Sequence, residues 1–62
     1  MNTENLPDIL TVPEIAHYLK LSKVMVYKLV EEGRMPHYRI ARAVRVSRDQ
    51  FLHWLETQKA VN

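Results

Sequence analysis

The chain has 62 residues, no cysteine and a formal net charge of +2 at pH 7. That length allows one domain with a marginal core, because so short a chain buries only about 60% of the surface it exposes when unfolded. Without cysteine there is no disulfide and no thiolate metal site to reinforce that core, and no run of about 18 apolar residues is present to cross a membrane.

Residues 1–9 show no periodicity and are expected to form a loose arm. Met1 to Asp8 is polar and acidic and lacks a hydrophobic signal region, which argues against export. Thr11-Val12-Pro13-Glu14 reads as a helix start. Thr11 caps, Glu14 stands at the reciprocal capping-box position, and Pro13 is tolerated in a first turn. Val12, Ile15, Ala16 and Leu19 then repeat at the spacing of one buried helical stripe, to about Lys20.

Ser22 is the next cap, after a gap of only Lys20-Leu21, with Leu21 expected to point inward. A second helix over about 23–32 buries Val26, Leu29 and Val30, and Gly33 ends it. Two short helices joined by a tight turn make a helix-turn-helix candidate. Met35-Pro36 breaks the helical pattern and opens an extended segment. Tyr38, Ile40, Val44 and Val46 are expected to share one face of a β-hairpin, with His37, Arg39 and Arg45 on the other. Ala41-Arg42-Ala43 is the expected loop, although it has no glycine or asparagine to take positive φ. Ser47 and Gln50 form another capping-box pattern. It opens a third helix over about 48–58 with Phe51, Leu52, Trp54 and Leu55 on its apolar side. Residues 59–62 are expected to fray. The predicted fold is therefore mainly α with a small β-hairpin: a winged helix-turn-helix over residues 10–58, with a two-stranded wing and a C-terminal helix.

Charge is unevenly distributed over these elements. Lys20, Lys23, Lys28, Arg34, Arg39, Arg42, Arg45 and Arg48 face only Glu31 and Glu32 within the central segment, for a local charge of +6. The first nineteen residues carry −3 and residues 49–62 carry −1. A basic middle between acidic flanks suits a polyanion. The second helix, if it enters a major groove, presents Lys23, Val24, Tyr27, Lys28 and Glu31 opposite its buried stripe. Lys23 and Lys28 suit phosphate or guanine. Tyr27 either donates its hydroxyl to a phosphate or covers the edge of the core. Val24 or Met25 suits a thymine methyl, although core packing is the first expectation for Met25. The amides beginning at Ser22 suit a phosphate. Arg39, Arg42 and Arg45 recur at every third residue of the hairpin, and a basic ribbon of this kind can follow the backbone and place its tip in the minor groove. The competing reading of these arginines is solubility and protection of a strand edge. The candidate DNA-binding residues are thus Ser22, Lys23, Val24, Tyr27, Lys28, Arg39, Arg42 and Arg45.

The stretch Leu10 to Leu55 resembles the excisionase-type winged helix-turn-helix domain, a relative of the MerR-type DNA-binding domain. The resemblance rests on Leu10-Thr11-Val12-Pro13-Glu14-Ile15-Ala16, Leu21-Ser22-Lys23, Val26-Tyr27-Lys28-Leu29-Val30, Gly33-Arg34-Met35-Pro36, Arg39-Ile40, Arg42, Arg45-Val46-Ser47-Arg48 and Trp54-Leu55. It implies a recognition helix, a wing and double-stranded DNA as the partner. Members usually have a basic or polar residue and then threonine at Val24 and Met25, and often glycine at Ala41 and an aromatic at Val44. These departures bear on which DNA sequence is read.

An enzyme is not expected. His17, His37 and His53 have no cysteine partners and no ligand-like spacing, so neither a catalytic site nor a metal or other cofactor is indicated. Within DNA binding, an excisionase (a recombination directionality factor acting with an integrase) competes with a small prophage- or plasmid-type transcription regulator. A protein-interaction module docking on a recombinase or polymerase, through Val61 and the apolar residues near Met25, is the rival of another class. Fewer than ten residues follow Leu55, so a long-helix dimer is not expected. The expectation is a monomer in solution, located in the cytoplasm with the nucleoid and away from membranes. It would join neighbouring copies of itself only on DNA.

Overall fold

Each helix of the computed structural model begins where a short hydroxyl side chain satisfies amides that a helix leaves unpaired. The structure describes residues 6–60. Thr11 Oγ1 accepts from the Glu14 amide at 3.3 Å, and Glu14 Oε1 accepts from the Thr11 amide at 2.8 Å. That reciprocal box launches α1 (Val12–Leu19). Ser22 Oγ accepts from the Met25 amide at 3.1 Å to open α2 (Lys23–Glu31). Ser47 Oγ accepts from the Gln50 amide at 3.2 Å to open α3 (Arg48–Thr57).

The first two helices end in the same way. Past α2, Gly33 takes φ +68°, and the amides of Gly33 and Arg34 donate to the carbonyls of Val30 and Leu29 at 3.0 and 2.9 Å. Past α1, the same pair of bonds forms from Lys20 to His17 and from Leu21 to Ala16, at 3.3 and 2.9 Å. These are Schellman closures, and they require a left-handed residue. At the turn between α1 and α2 that residue is Lys20, with φ 59°, a conformation that carries a cost a glycine would not have. Leu21 follows and is 42% exposed, not inward as expected: the core of this turn is closed by Ala16 and Val26 without it.

The strands are β1 (Ile9–Leu10), β2 (Tyr38–Ile40) and β3 (Ala43–Ser47), in the antiparallel order β1-β3-β2. Ile9 pairs with Ser47 and Leu10 with Val46. The loose arm expected over residues 1–9 is corrected at its far end: Leu6 is buried and Ile9 belongs to a sheet. Residues 1–5 lie outside the described part of the chain, as do 61–62 of the expected frayed tail. Arg48 ties the segment down. Its backbone amide donates to the Asp8 carbonyl at 2.8 Å, its guanidinium donates to the Leu6 carbonyl at 3.0 Å, and it meets the Asp8 carboxylate at 3.0 Å.

Ile40 pairs with Ala43, so the hairpin loop is two residues, Ala41 and Arg42. The expected loop was one residue longer. Side chains alternate along a strand, so that one residue moves every side chain of β2 to the other face. Arg39 opposes Val44 on the core side, whereas Tyr38 opposes Arg45 and Ile40 opposes Ala43 on the outer side. Tyr38 and Ile40 are accordingly 47% and 63% exposed instead of packed with Val44 and Val46. Ala41 supplies the positive φ, 55°, at the first loop position only, the φ pattern of a type II′ turn.

One core joins all of this. Leu6, Leu10, Val12, Ile15, Ala16, Val26, Val30, Met35, Val44, Val46, Phe51 and Trp54 are buried together. Phe51 lies edge-on to Tyr18, with centroids 5.5 Å apart, and stacks against Trp54 at 6.2 Å. Trp54 also donates Nε1–H to the Arg34 carbonyl at 2.7 Å. That bond fixes the link between α2 and the wing and satisfies the one polar atom of a largely buried ring.

Candidate nucleic-acid interface

The outer face of α2 follows from its inner one. With Val26 and Val30 buried and Leu29 half-buried, a pitch of 3.6 residues per turn directs Val24, Tyr27, Lys28 and Glu31 away from the core. All four are exposed, as is Lys23 at the helix start. Met25 is 47% exposed, which corrects the expectation of core packing; the helix turns it to the flank of the buried stripe.

The start of α2 differs from the other two helix starts. Glu14 and Asp49 sit in the first turns of α1 and α3, but α2 has no acid there and begins with Lys23. Ser22 Oγ satisfies the Met25 amide, and the Ser22 carbonyl accepts from the Val26 amide at 3.3 Å. The Lys23 and Val24 amides therefore belong to the unpaired first turn, which favours an anion.

The wing stands beside the far end of this helix. The Arg39 guanidinium reaches Glu31 at 3.4 Å, and Glu31 shares the stripe of Val24 and Lys28. This exposed pair contributes little stability, about 0–1 kcal/mol, but it reports position: the outer face of α2 and the hairpin flank one another. Arg42 occupies the exposed second loop position, and no hydrogen bond or ion pair among the described residues engages its guanidinium. Arg45 lies on the outer face of β3 and donates from Nη1 to the Val44 carbonyl at 2.8 Å, so it folds back along its own strand. The three wing arginines are thus held in three different ways, and Arg39 and Arg45, expected on one face, lie on opposite faces of the hairpin.

Of the other cations, Arg34 pairs with Glu32 at 3.6 Å, and Arg48 serves the Asp8 tether. His37 Nδ1 lies 2.8 Å from the Met35 carbonyl in the wing linker. The candidate surface therefore comprises Ser22 at the cap and Lys23, Val24, Tyr27 and Lys28 on α2, joined to Arg39 through Glu31, with Arg42 at the wing tip and Arg45 on the outer side of the hairpin. Sequence reasoning missed Tyr38 and Ile40 as outer wing residues, because Ala41-Arg42-Ala43 carries no glycine or asparagine to tell a two-residue loop from a three-residue one. It also missed the role of Arg48, whose partner Asp8 lies too far along the chain to leave a local pattern.

Among the described residues, no group of three or more His, Cys, Asp or Glu side chains is placed to hold a metal, and no helix is long and apolar enough to cross a membrane. An open, mainly apolar depression of about 400 Å³ lies elsewhere, between Leu6-Pro7 and the α1 residues Pro13, Glu14, His17 and Tyr18.

The sequence of a helix-turn-helix domain family matches residues 9–59 of the chain. Two proteins from strains of Mycobacterium tuberculosis, each provisionally named a DNA-binding protein, are 41% identical to it over 49 residues. The match takes in 79% of this chain and 63% of each of theirs, so the chain spans somewhat under two thirds of the length of those relatives. An uncharacterized Bacillus subtilis protein, YvgK, is 44% identical over 39 residues, which is 63% of this chain and 13% of that protein. No solved structure gives a significant match.

Proposed function

The chain belongs to the family of helix-turn-helix domains, and from that premise we propose that it binds double-stranded DNA, with α2 in the major groove and the wing on the adjoining backbone. The observation that carries this reading is the Arg39–Glu31 contact, which sets the hairpin beside the outer face of α2. A helix flanked by a basic ribbon matches a groove flanked by phosphates. Lys28 and Lys23 neutralise phosphates along the groove, the open first turn of α2 takes another, and Arg42 leads the wing tip toward the minor groove. The provisional names of the mycobacterial relatives agree with this.

Within that reading the proposed role is that of an excisionase, a factor that shapes DNA beside a recombination site for an integrase. A small transcription regulator uses the same surface. One recognition helix and one wing cover only about 600–1,000 Å² of protein surface, which favours a monomer that gains occupancy by binding neighbouring sites. Its working place is then the cytoplasm, on the nucleoid.

The test is a fluorescence-anisotropy titration with a generic duplex at several salt concentrations. Neutralising about four phosphates gives a slope of roughly −4 for log K against log salt. A slope near zero, or no binding at low salt, contradicts the proposal.

A further inference from the structure

The centre of the outer face of α2 is not a hydrogen-bonding side chain but Val24. It is 77% exposed, more than any other large apolar side chain among the described residues. Folding gives no reason for it: the core is complete without Val24, and a β-branched residue on an exposed helix face is a poorer helix former than alanine or lysine. Its surroundings carry the charge of a polyanion site, with Lys23 beside it, Lys28 one turn on and no acid in the first turn. Met25 on one flank and Leu21 at the preceding turn are also partly exposed, so the N-terminal end of α2 offers an apolar tip ringed by cations.

A valine cannot donate to or accept from a base edge. Among the groups that base pairs display in the major groove, the apolar one is the C5 methyl of thymine, which 5-methylcytosine places at the same position. We propose that Val24 is the specificity-determining residue of α2 and that it reads a C5 methyl, so the protein selects a pyrimidine carrying that group opposite the helix N-terminus. This inference rests on the DNA-binding reading above and adds the chemistry of what is read. Lys23 and Lys28 supply affinity without sequence information, and the Val24 contact supplies discrimination.

The experiment changes one methyl at a time on the DNA and one side chain on the protein. A fluorescent two-turn duplex of mixed sequence is compared with the same duplex in which every thymine is replaced by uracil, which removes the methyl and keeps base pairing. The full chain and its Val24→Ser variant are titrated with both. Burial of one methyl is worth about fourfold in affinity, so the parent binds the thymine duplex about fourfold more tightly than the uracil duplex. In Val24→Ser the affinity for the thymine duplex falls about fourfold, to that for the uracil duplex, so the ratio is about one. Val24 is exposed and outside the core, so the variant keeps its helical circular dichroism. A ratio near one for the parent, with salt-dependent binding to both duplexes, overturns the methyl-reading proposal and leaves DNA binding standing. A ratio that survives in Val24→Ser also overturns it, because the methyl is then sensed elsewhere. Absence of salt-dependent binding to either duplex overturns the DNA-binding reading and this proposal with it.

Discussion

The outer face of α2 and the wing answer different physical demands. The helix is held by its own backbone, with a serine cap at one end and a glycine closure at the other, and it exposes a mixture of cations and apolar groups. The wing is a two-residue loop on a short ribbon, with a left-handed alanine at its bend and arginine at three of its positions. The helix therefore presents fixed shape, and the wing presents charge on a less regular frame. On the proposed DNA-binding reading, recognition follows from this difference, with base discrimination at Val24 on the helix and electrostatic grip shared by the helix lysines and the wing arginines.

The comparison breaks most completely if the shared core is removed. Phe51 is fully buried between Tyr18 and Trp54, and Phe51→Ala is expected to cost about 3–5 kcal/mol. In a domain this small that is a large part of the total stability, so helix and wing are lost together, read as a collapse of the circular dichroism transition at lower temperature. Persistence of helical signal after loss of the wing would mean that the two regions fold separately.

Arg42→Ala separates charge from fold. The residue is exposed at the loop and engages no described partner, so stability stays within about 0.5 kcal/mol of the parent. Affinity for A·T-rich duplexes falls, and the salt slope loses roughly one unit. An unchanged slope would remove Arg42 from the interface.

The conformational asymmetry between helix and wing has its own test. Ala41 and Lys20 both take positive φ, near 55° and 59°, which costs a side-chain-bearing residue about 1–2 kcal/mol. Ala41→Gly and Lys20→Gly each relieve that strain at the expense of a more flexible unfolded chain, for an expected net gain of about 0.5–1 kcal/mol in denaturant unfolding. Gly33→Ala runs the other way by about 1 kcal/mol. A Cβ there meets no atom within 4 Å, so the loss is purely conformational. A destabilised Ala41→Gly variant would show that the alanine side chain contributes more than its backbone angle costs.

Much of this architecture is legible from local chemistry. Thr11 with Glu14, Ser22, Ser47 and Gly33 mark helix ends by interactions three to five residues long, and the stripes of α1 and α2 repeat at the helical period. The departures arise where the deciding contact is distant or the pattern is too short. β1 becomes a strand only by pairing with β3, and its two residues carry no alternation. The wing arginines were legible as a set, but which face each occupies depended on a loop shorter by one residue. The apolar stripe of α2 placed Val24, Lys28 and Tyr27 correctly on the outside, because burial of one face dictates the other.

The smallest expected effect concerns the contact that joins the two regions. Glu31→Gln releases Arg39 and removes a negative charge from the outer stripe of α2 that is proposed to face DNA. Stability changes by less than about 1 kcal/mol, because both partners are half-exposed or more, while affinity for duplex DNA rises a few-fold at low salt. A weaker complex would mean that Glu31 holds Arg39 in its binding position rather than competing for it.

The central claim, that α2 and the wing form one DNA surface, is tested most directly by following backbone amide shifts of the isotopically labelled chain as a duplex is added. The account predicts the largest changes at Lys23, Val24 and Lys28 together with Arg39, Arg42 and Arg45, and small ones at Glu14, His17, Asp49 and His53. Changes concentrated instead at Leu6, Glu14, His17 and Tyr18, where the apolar depression lies, would contradict it.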